Sequence, residues 1–262
     1  MTEKTMPVVF SGHGSPMIAL EHNEITEGMT AVGRKVLEQY GKPKAILAIS
    51  AHWYVRGTYI QSAPEPKQVY DMYGFPKELY EVKYPVKGNP DLTADVKALL
   101  GDAVSVRDDW GIDHGTWTVL CHMFPKADIP VVQLSVNRGL SAQASYNLGA
   151  RLAPLRDKGY LIFGSGNIVH NLRETNWDMV HEGTPMTAAF DKYIVDAIAK
   201  RDDEAVIQYE KGPHADYAVP TPDHFLPIPY ILGATQGEKA TFFNQIFDLG
   251  SMDMTGFTFG LE

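Results

Sequence analysis

Three histidines come directly after apolar, strand-like segments of the chain. His13 follows "PVVF" within "GHGSPM", His52 follows "AILAIS" within "SAHW", and His170 follows "YLIFGSG" within "GSGNIVHNL". In open α/β sheets, ligands bind in the crevice outside the carboxyl ends of the strands, where residues distant in sequence converge. We therefore expect the three imidazoles to lie around one crevice. The glycines on both sides of His13 would let its backbone turn tightly.

His114 in "WGIDHGTW" and His224 in "TPDHFLP" are two further candidates. Each lies in a turn rich in Gly, Pro or Asp that leads into a helix-like segment. Neutral imidazoles are natural ligands for Zn, Fe, Cu and Ni. Since the sequence has neither a CxxC nor an HExxH motif, such a site must be assembled from distant segments. Four histidines without this framing are interpreted as structural residues: His22, His122, His181 and His214.

Apolar β-branched runs alternate with amphipathic segments along the chain, which is typical of an α/β fold. The strand-like runs are "PVVF", "AILAIS", "AVSV", "IPVVQLSV" and "YLIFGSG". The helix-like segments include "TADVKALLG" and "SAQASYNLGARLAPLRDKG", the second of which runs from an N-cap-like Ser141 to Gly159. We predict an α/β protein with a central sheet, mostly parallel or mixed, flanked by helices in a single catalytic domain over residues 1–262.

The segment from about Gln61 to Pro90 has few clean periods and is rich in proline, tyrosine and glycine. Its many aromatic side chains would be costly to leave in water. Long segments of this kind in a compact domain usually carry function. We therefore expect a functional loop that contains short helices, rather than a linker between domains.

The composition indicates a soluble globular protein that acts on a small ligand. The chain has 262 residues, of which 44% are hydrophobic, so it can bury a core without disulfides. The single cysteine, Cys121, and the absence of signal-peptide and membrane-helix patterns predict a cytoplasmic location. The net charge of -9 argues against nucleic-acid or membrane partners. We expect a monomer or a small homo-oligomer.

Six segments, in the expected order and spread over nearly the whole chain, resemble the DOPA 4,5-dioxygenase branch of the class III extradiol ring-cleaving dioxygenases. They are "GHGSPM", "SAHWYVRG", "YGFPKELYEVKYPVKGNP", "WGIDHGTWTVLCHMFPKADIPVVQLS", "GSGNIVHNLR" and "PTPDHFLP". The resemblance implies an α/β enzyme that opens a catechol ring beside its two hydroxyls, using O2 and non-haem Fe(II), to give a muconic semialdehyde. It also implies that Zn(II) is bound, as in bacterial relatives close to this branch.

The resemblance also assigns roles to the five histidines. It makes His13, His52 and His224 the metal ligands, His170 the acid/base residue and His114 a second catalytic histidine that lines the substrate pocket. The broader class uses two histidines and a glutamate, so a third histidine leaves the choice between Fe and Zn open. His170 could also complete a zinc tetrahedron as a fourth ligand.

Several residues around this predicted site have two interpretations. Trp53, Tyr73 and Phe75 could stack on a catechol ring or pack in the core and loops. Arg173 could bind a substrate carboxylate or form a surface salt bridge. Asp113 could orient an imidazole or simply form a turn.

Two other functions fit the same residues. A zinc-dependent hydrolase would use metal-bound water as its nucleophile. A non-catalytic interaction protein on the same fold is the second alternative. The presence of all five framed histidines argues against the interaction protein, because a chain freed from catalysis has no chemical reason to keep them.

Overall fold

A mixed eight-stranded sheet between two layers of helices forms the body of the computed structural model, which describes residues 4–261. The sheet consists of β1 (Val8–Gly12), β2 (Ala45–Val55), β3 (Tyr59–Ile60), β4 (Ser105–Val106), β5 (Val131–Asn137), β6 (Tyr160–Gly166), β7 (Ala240–Phe243) and β10 (Gly256–Phe259). The strands β8 (Phe247–Asp248) and β9 (Met252–Asp253) form a separate two-stranded ribbon. Within residues 4–261, no helix is both long and apolar enough to cross a membrane.

The α-helices are α1 (Glu24–Tyr40), α2 (Lys77–Glu81), α3 (Pro90–Leu100), α4 (His114–Met123), α5 (Ala142–Leu152), α6 (Pro185–Lys200), α7 (Asp203–Ile207), α8 (Ala215–Ala218) and α9 (Pro227–Gly233). Short 3₁₀ helices span Pro16–Leu20, Gly101–Ala103, Ala153–Lys158, Leu172–Glu174 and Tyr209–Lys211.

The strand order is β4-β3-β5-β2-β6-β1-β10-β7. The four central strands β5, β2, β6 and β1 are parallel, whereas β3 runs antiparallel to β5 and β10 runs antiparallel to β1. The carboxyl ends of the four central strands therefore meet at one edge of the sheet. This mixed sheet with helices on both faces confirms the predicted fold class.

Alternate side chains of each central strand enter two different cores, because successive residues of a strand point to opposite faces. Phe10 and Leu47 pack with α3, α5, α6 and α9 on one face. Val9 and Phe163 pack with α1 and α4 on the other. Both faces are covered, which explains why the central strands read as continuous apolar runs.

Most of the predicted elements are present, with one correction. The runs that contain β1, β2, β5 and β6 form strands, and the segment 61–90 is an irregular loop that contains α2. The run "AVSV" yields only Ser105–Val106, and both residues are exposed. This strand is so short because it lies at the edge of the sheet and pairs with the two-residue β3 alone.

Two carboxyl groups lie side by side: Asp253 on β9, which is fully buried, and Asp191 on α6, which is half-buried. The Oδ1 atom of Asp253 accepts a hydrogen bond from the backbone N–H of Thr255 at 2.8 Å, while its Oδ2 atom has no donor among the described residues. Burial raises the pKa of Asp253 well above its ordinary range, and the adjacent Asp191 raises it further. Burial also raises the pKa of Asp191. The folded chain therefore holds protons here more tightly than the unfolded chain.

We predict that Asp253→Asn stabilises the protein near neutral pH, because an amide can donate a hydrogen bond to Asp191 without a bound proton. A raised folded pKa means that stability is complete below the unfolded pKa of about 4 and is lost as pH rises through the folded pKa. The advantage of the variant should therefore grow with pH, by at most about 1.4 kcal/mol per unit. Urea unfolding of both proteins between pH 4 and 8 measures it.

Asp196→Asn is the matched control, since Asp196 is an exposed carboxylate on the same helix that pairs with Lys192. It should change stability little. A difference between Asp253→Asn and the wild type that does not vary with pH would contradict the assignment.

Candidate metal and active site

All five histidines singled out in the sequence line one cavity of about 510 Å³. The cavity lies at the carboxyl ends of the parallel strands. His13 comes directly after β1, His114 is the first residue of α4, His170 lies in the loop after β6, and His224 lies in the turn before α9. His22, His122, His181 and His214 do not line the cavity in the described part of the chain. The expected convergence of distant segments is therefore present.

The position of His52 corrects one expectation. The sequence placed it after the end of its strand, but β2 continues to Val55, so His52 lies within the strand. The pairing of β2 with β5 changes register between Ser50 and Tyr54. This irregularity brackets His52, whose imidazole lines the cavity.

Four fully buried serines form a row across the central strands, immediately below the cavity: Ser135, Ser50, Ser165 and Ser11. Two of them hold the start of α4. Ser50 donates a hydrogen bond to Asp113, the N-cap residue of α4, at 2.7 Å, and Ser165 donates one to the backbone oxygen of Gly115. The serine row therefore fixes the helix end that carries His114.

Two glycines make room for the imidazoles. Gly14 has a φ of 55°, a left-handed conformation that lets the chain turn away directly after His13. At Gly115, a Cβ atom would lie 2.7 Å from Ser50 Oγ and 2.9 Å from His52 Cδ2. Any side chain at Gly115 would therefore displace His52 or the helix end.

The Nδ1 atoms of four imidazoles are bound by polar neighbours. The pairs are His13 with Ser165 Oγ at 2.8 Å, His52 with Asp71 Oδ2 at 2.9 Å, His114 with Asp71 Oδ1 at 2.9 Å, and His224 with Asp223 Oδ2 at 2.5 Å. The carboxylates can only accept. The proton of Ser165 is already given to Gly115, so Ser165 also accepts from the imidazole. In their neutral forms these imidazoles therefore carry their lone pairs on Nε2.

Asp71 is the residue of this site that sequence reasoning missed. It lies in the loop 61–90, and its Oδ1 atom also accepts the backbone N–H of His114 at 3.0 Å. One carboxylate thus orients two imidazoles from different elements. The sequence points to Asp71 only indirectly, because the loop that contains this residue was expected to be functional. Asp113, the candidate offered by the sequence, instead caps α4 and accepts hydrogen bonds from Ser50 and Trp110.

The imidazole nitrogens fit a metal ion. His13 Nε2 and His52 Nε2 are 3.1 Å apart, a distance that is satisfied either by a proton on His52 or by a metal ion bound to both nitrogens. Nitrogens that bind one ion at about 2.0–2.1 Å are separated by roughly 3.0–3.4 Å. His224 Nε2 is buried and has no hydrogen-bond partner among the described residues. His114 is also close, since ligand atoms of His13, His52 and His114 lie within 4.8 Å of one another.

Burial keeps most of these imidazoles uncharged. It lowers the pKa of His13 and of His224 well below the ordinary value, and neighbouring histidines lower both further. Burial also lowers the pKa of His114, and the positive charge of a protonated His52 lowers it further. At His52 burial opposes protonation, but the hydrogen bond to Asp71 and nearby carboxylates outweigh it, and the pKa is raised. The carboxylates thus favour a proton on His52, beside Asp71.

His170 stacks flat on His224, with ring centroids 3.5 Å apart and an interplanar angle of 4°. Burial lowers the pKa of His170 to about 4, against the opposing charge of Asp223. This is below the near-neutral value expected of a general base. At neutral pH His170 is therefore an uncharged side chain that can accept a proton or bind a metal.

The mouth of the cavity is aromatic. Tyr73 and Phe75 line it, together with Trp177, which the sequence did not single out. Trp53 does not line it and is 1% exposed, so it packs in the core. Arg173 is exposed and lies outside the cavity lining.

Comparisons with known proteins point in one direction. The family model described as the catalytic LigB subunit of aromatic ring-opening dioxygenase matches residues 7–260. A protein of Escherichia coli (strain K12) named 4,5-DOPA dioxygenase extradiol is 36% identical, over 99% of this chain and 97% of that protein. A Beta vulgaris protein of the same name is 37% identical, over 95% of each chain. A crystal structure of an uncharacterized protein from Escherichia coli K12 superposes with a TM-score of 0.84 at 34% identity, covering 97% of this chain and 100% of that one.

We predict that Asp71→Asn weakens Zn(II) binding by roughly 10–100-fold, the usual cost of losing a partner behind a ligand. The single amide oxygen can accept from only one of the two imidazoles, and the amide N–H groups face the other. Competition with a coloured chelator measures the affinity.

Asp108→Asn is the control, because Asp108 anchors the same loop through Ser62 and Ala63, away from the cavity. It should bind Zn(II) like the wild type. Equal weakening by both variants would mean that Asp71 acts only by holding the loop.

Proposed function

The chain belongs to the family of catalytic LigB subunits of aromatic ring-opening dioxygenases, and on that premise we propose that it opens a catechol with a DOPA-like side chain by 4,5-cleavage to a muconic semialdehyde. The protein is a metal-dependent extradiol dioxygenase, an oxidoreductase whose substrates are a small aromatic molecule and O2. Family membership therefore favours ring cleavage over the zinc-dependent hydrolase and the non-catalytic protein.

The observation that carries the proposal is the gathering of five imidazoles around one cavity. We propose His13, His52 and His224 as the metal ligands, with His170 within reach. The 3.1 Å contact of two Nε2 atoms and the unpartnered Nε2 of His224 support this set. Fe(II) held by these residues would supply the Lewis-acid and electron-transfer chemistry that links a catechol to O2. Neutral nitrogen ligands also suit Zn(II). We propose that Zn(II) can occupy the same site in place of Fe(II).

His170 is the proposed acid/base residue. It lines the cavity beside His224, and burial keeps it neutral at physiological pH, so it can take a proton from a catechol hydroxyl. Its low pKa favours the later return of that proton. His114 is the second proposed catalytic residue. It faces the same cavity, and Asp71 holds its Nδ1–H, so its Nε2 is placed to accept a hydrogen bond from a substrate hydroxyl.

Three wider features belong to the same proposal. We propose residues 1–262 as a single catalytic domain, which is supported by the pairing of β1 with β10 within one sheet. The location is cytoplasmic, which the lone Cys121 supports. The protein is a monomer or a small homo-oligomer.

The proposal predicts that protein reconstituted anaerobically with Fe(II) consumes one O2 per catechol when air is admitted, and forms a yellow ring-opened semialdehyde. Oxygen uptake and visible absorbance are measured in the same reaction, with DOPA and then caffeate as the substrate. His224→Ala should lose both metal and turnover. His181→Ala, a histidine outside the cavity that contacts Glu24, should keep both. Absence of O2 uptake with fully loaded enzyme would refute ring cleavage.

A second variant separates binding from chemistry. We predict that His170→Gln keeps its Fe(II) and lowers turnover by roughly 10²–10⁴-fold, the usual loss when a general acid or base is removed. Metal analysis and single-turnover kinetics are run on the same preparation. If metal and activity are lost together, His170 is a ligand rather than an acid/base residue.

A further inference from the structure

The main chain of His224 is held against the end of β6. The backbone N–H of Asn167 donates a hydrogen bond to the backbone oxygen of His224 at 2.9 Å. A Cβ atom at Gly166, the last residue of β6, would lie only 2.1 Å from that oxygen, so the turn packs directly on the strand end. Because the main chain is fixed in this way, side-chain contacts decide where the imidazole points.

Two such contacts fix the imidazole of His224. The ring of His170 lies flat on it, with centroids 3.5 Å apart and an interplanar angle of 4°, and this stack sets the plane of the His224 ring. Asp223 Oδ2 accepts the Nδ1–H of His224 at 2.5 Å, and this hydrogen bond sets the direction of the ring within that plane. The buried Nε2 atom, which has no partner among the described residues, is left as the free ligand atom.

The three proposed ligands differ in the group that lies behind each imidazole. His13 has the neutral hydroxyl of Ser165 behind it, whereas His52 shares the carboxylate of Asp71 with a second imidazole. The third ligand has a carboxylate that binds no other imidazole in the described part of the chain, Asp223. A carboxylate behind an imidazole raises the basicity of the nitrogen that faces the metal.

From this geometry we infer that Asp223 is a positioning residue for the metal, which orients His224 and supplies negative charge behind it. The inference rests on the ligand set of the proposed function. Negative charge near the site attracts a trivalent ion more strongly than a divalent one. Asp223 should therefore tighten metal binding and also lower the Fe(III)/Fe(II) potential of bound iron.

Two substitutions separate orientation from charge. Asp223→Ala removes both, whereas Asp223→Asn keeps an oxygen that can accept the Nδ1–H and removes only the charge. We expect Asp223→Ala to weaken Zn(II) binding by roughly 10–100-fold and Asp223→Asn to weaken it less. Both variants should shift the Fe(III)/Fe(II) potential to more positive values. Competition with a coloured chelator measures the affinity, and anaerobic spectroelectrochemistry of the iron-loaded protein, without any catechol, measures the potential.

Asp216→Asn is the matched control. Asp216 is an exposed carboxylate on α8, the helix whose Ala218 oxygen accepts the backbone N–H of His170, so the substitution removes the same charge from a neighbouring element. It should leave affinity and potential unchanged. Wild-type Zn(II) affinity in Asp223→Ala would overturn the orienting role. A wild-type potential in Asp223→Asn, or an equal shift in Asp216→Asn, would overturn the role of the charge behind His224.

Thermal unfolding of the metal-free variants shows whether each one folds. If Asp223→Ala does not fold, the isosteric Asp223→Asn decides, and wild-type affinity and potential in that variant would overturn the inference. The outcome is independent of turnover. If the Asp223 variants behave as expected but no catechol is oxidised by the wild type, ring cleavage fails while the role of Asp223 stands.

Discussion

Five imidazoles can share one buried crevice only if nearly all of them are uncharged. His13 and His52 bring their Nε2 atoms to 3.1 Å, where two protonated rings would repel each other strongly. Burial lowers the pKa of most of the group, and the acceptors behind the Nδ1 atoms fix where the remaining proton sits. The lone pairs then point inward. The serine row, the cap of α4 and the loop that carries Asp71 all serve this arrangement.

Strands could be predicted only where the residues of the strand itself are enough to identify it. The central strands are buried on both faces, so runs such as Ala45–Ser50 are apolar and β-branched throughout. The strands β7 and β10 are short, and they pair with each other through polar residues such as Thr241 and Thr258. The other partner of β10 is β1, at the opposite end of the chain. Their pairing is decided by tertiary contacts, which the sequence pattern does not contain.

The site was predictable for a different reason. A parallel sheet fixes the edge at which strands end, so a histidine after a strand, such as His13 or His170, has a predictable place. The turns around His114 and His224 added a local signal. Asp71 had none, because its function depends on a loop folding back over two elements. The place of Trp177 in the cavity lining likewise depends on how the chain folds after β6, which only the three-dimensional structure reveals.

The place of β1 inside the sheet, between β6 and β10, has a consequence for how the protein is made. Val8 pairs with Ile162 on one side and with Phe259 on the other, so the strand that leads into His13 is synthesised early but finds its neighbours late. Contacts so distant in sequence form slowly, and the waiting strand exposes pairing edges meanwhile. His13 and His224 cannot meet until nearly the whole chain has left the ribosome. With the proposed ligand set, metal uptake would wait until His224 has been synthesised, and truncation before β10 would leave the early strand open to aggregation.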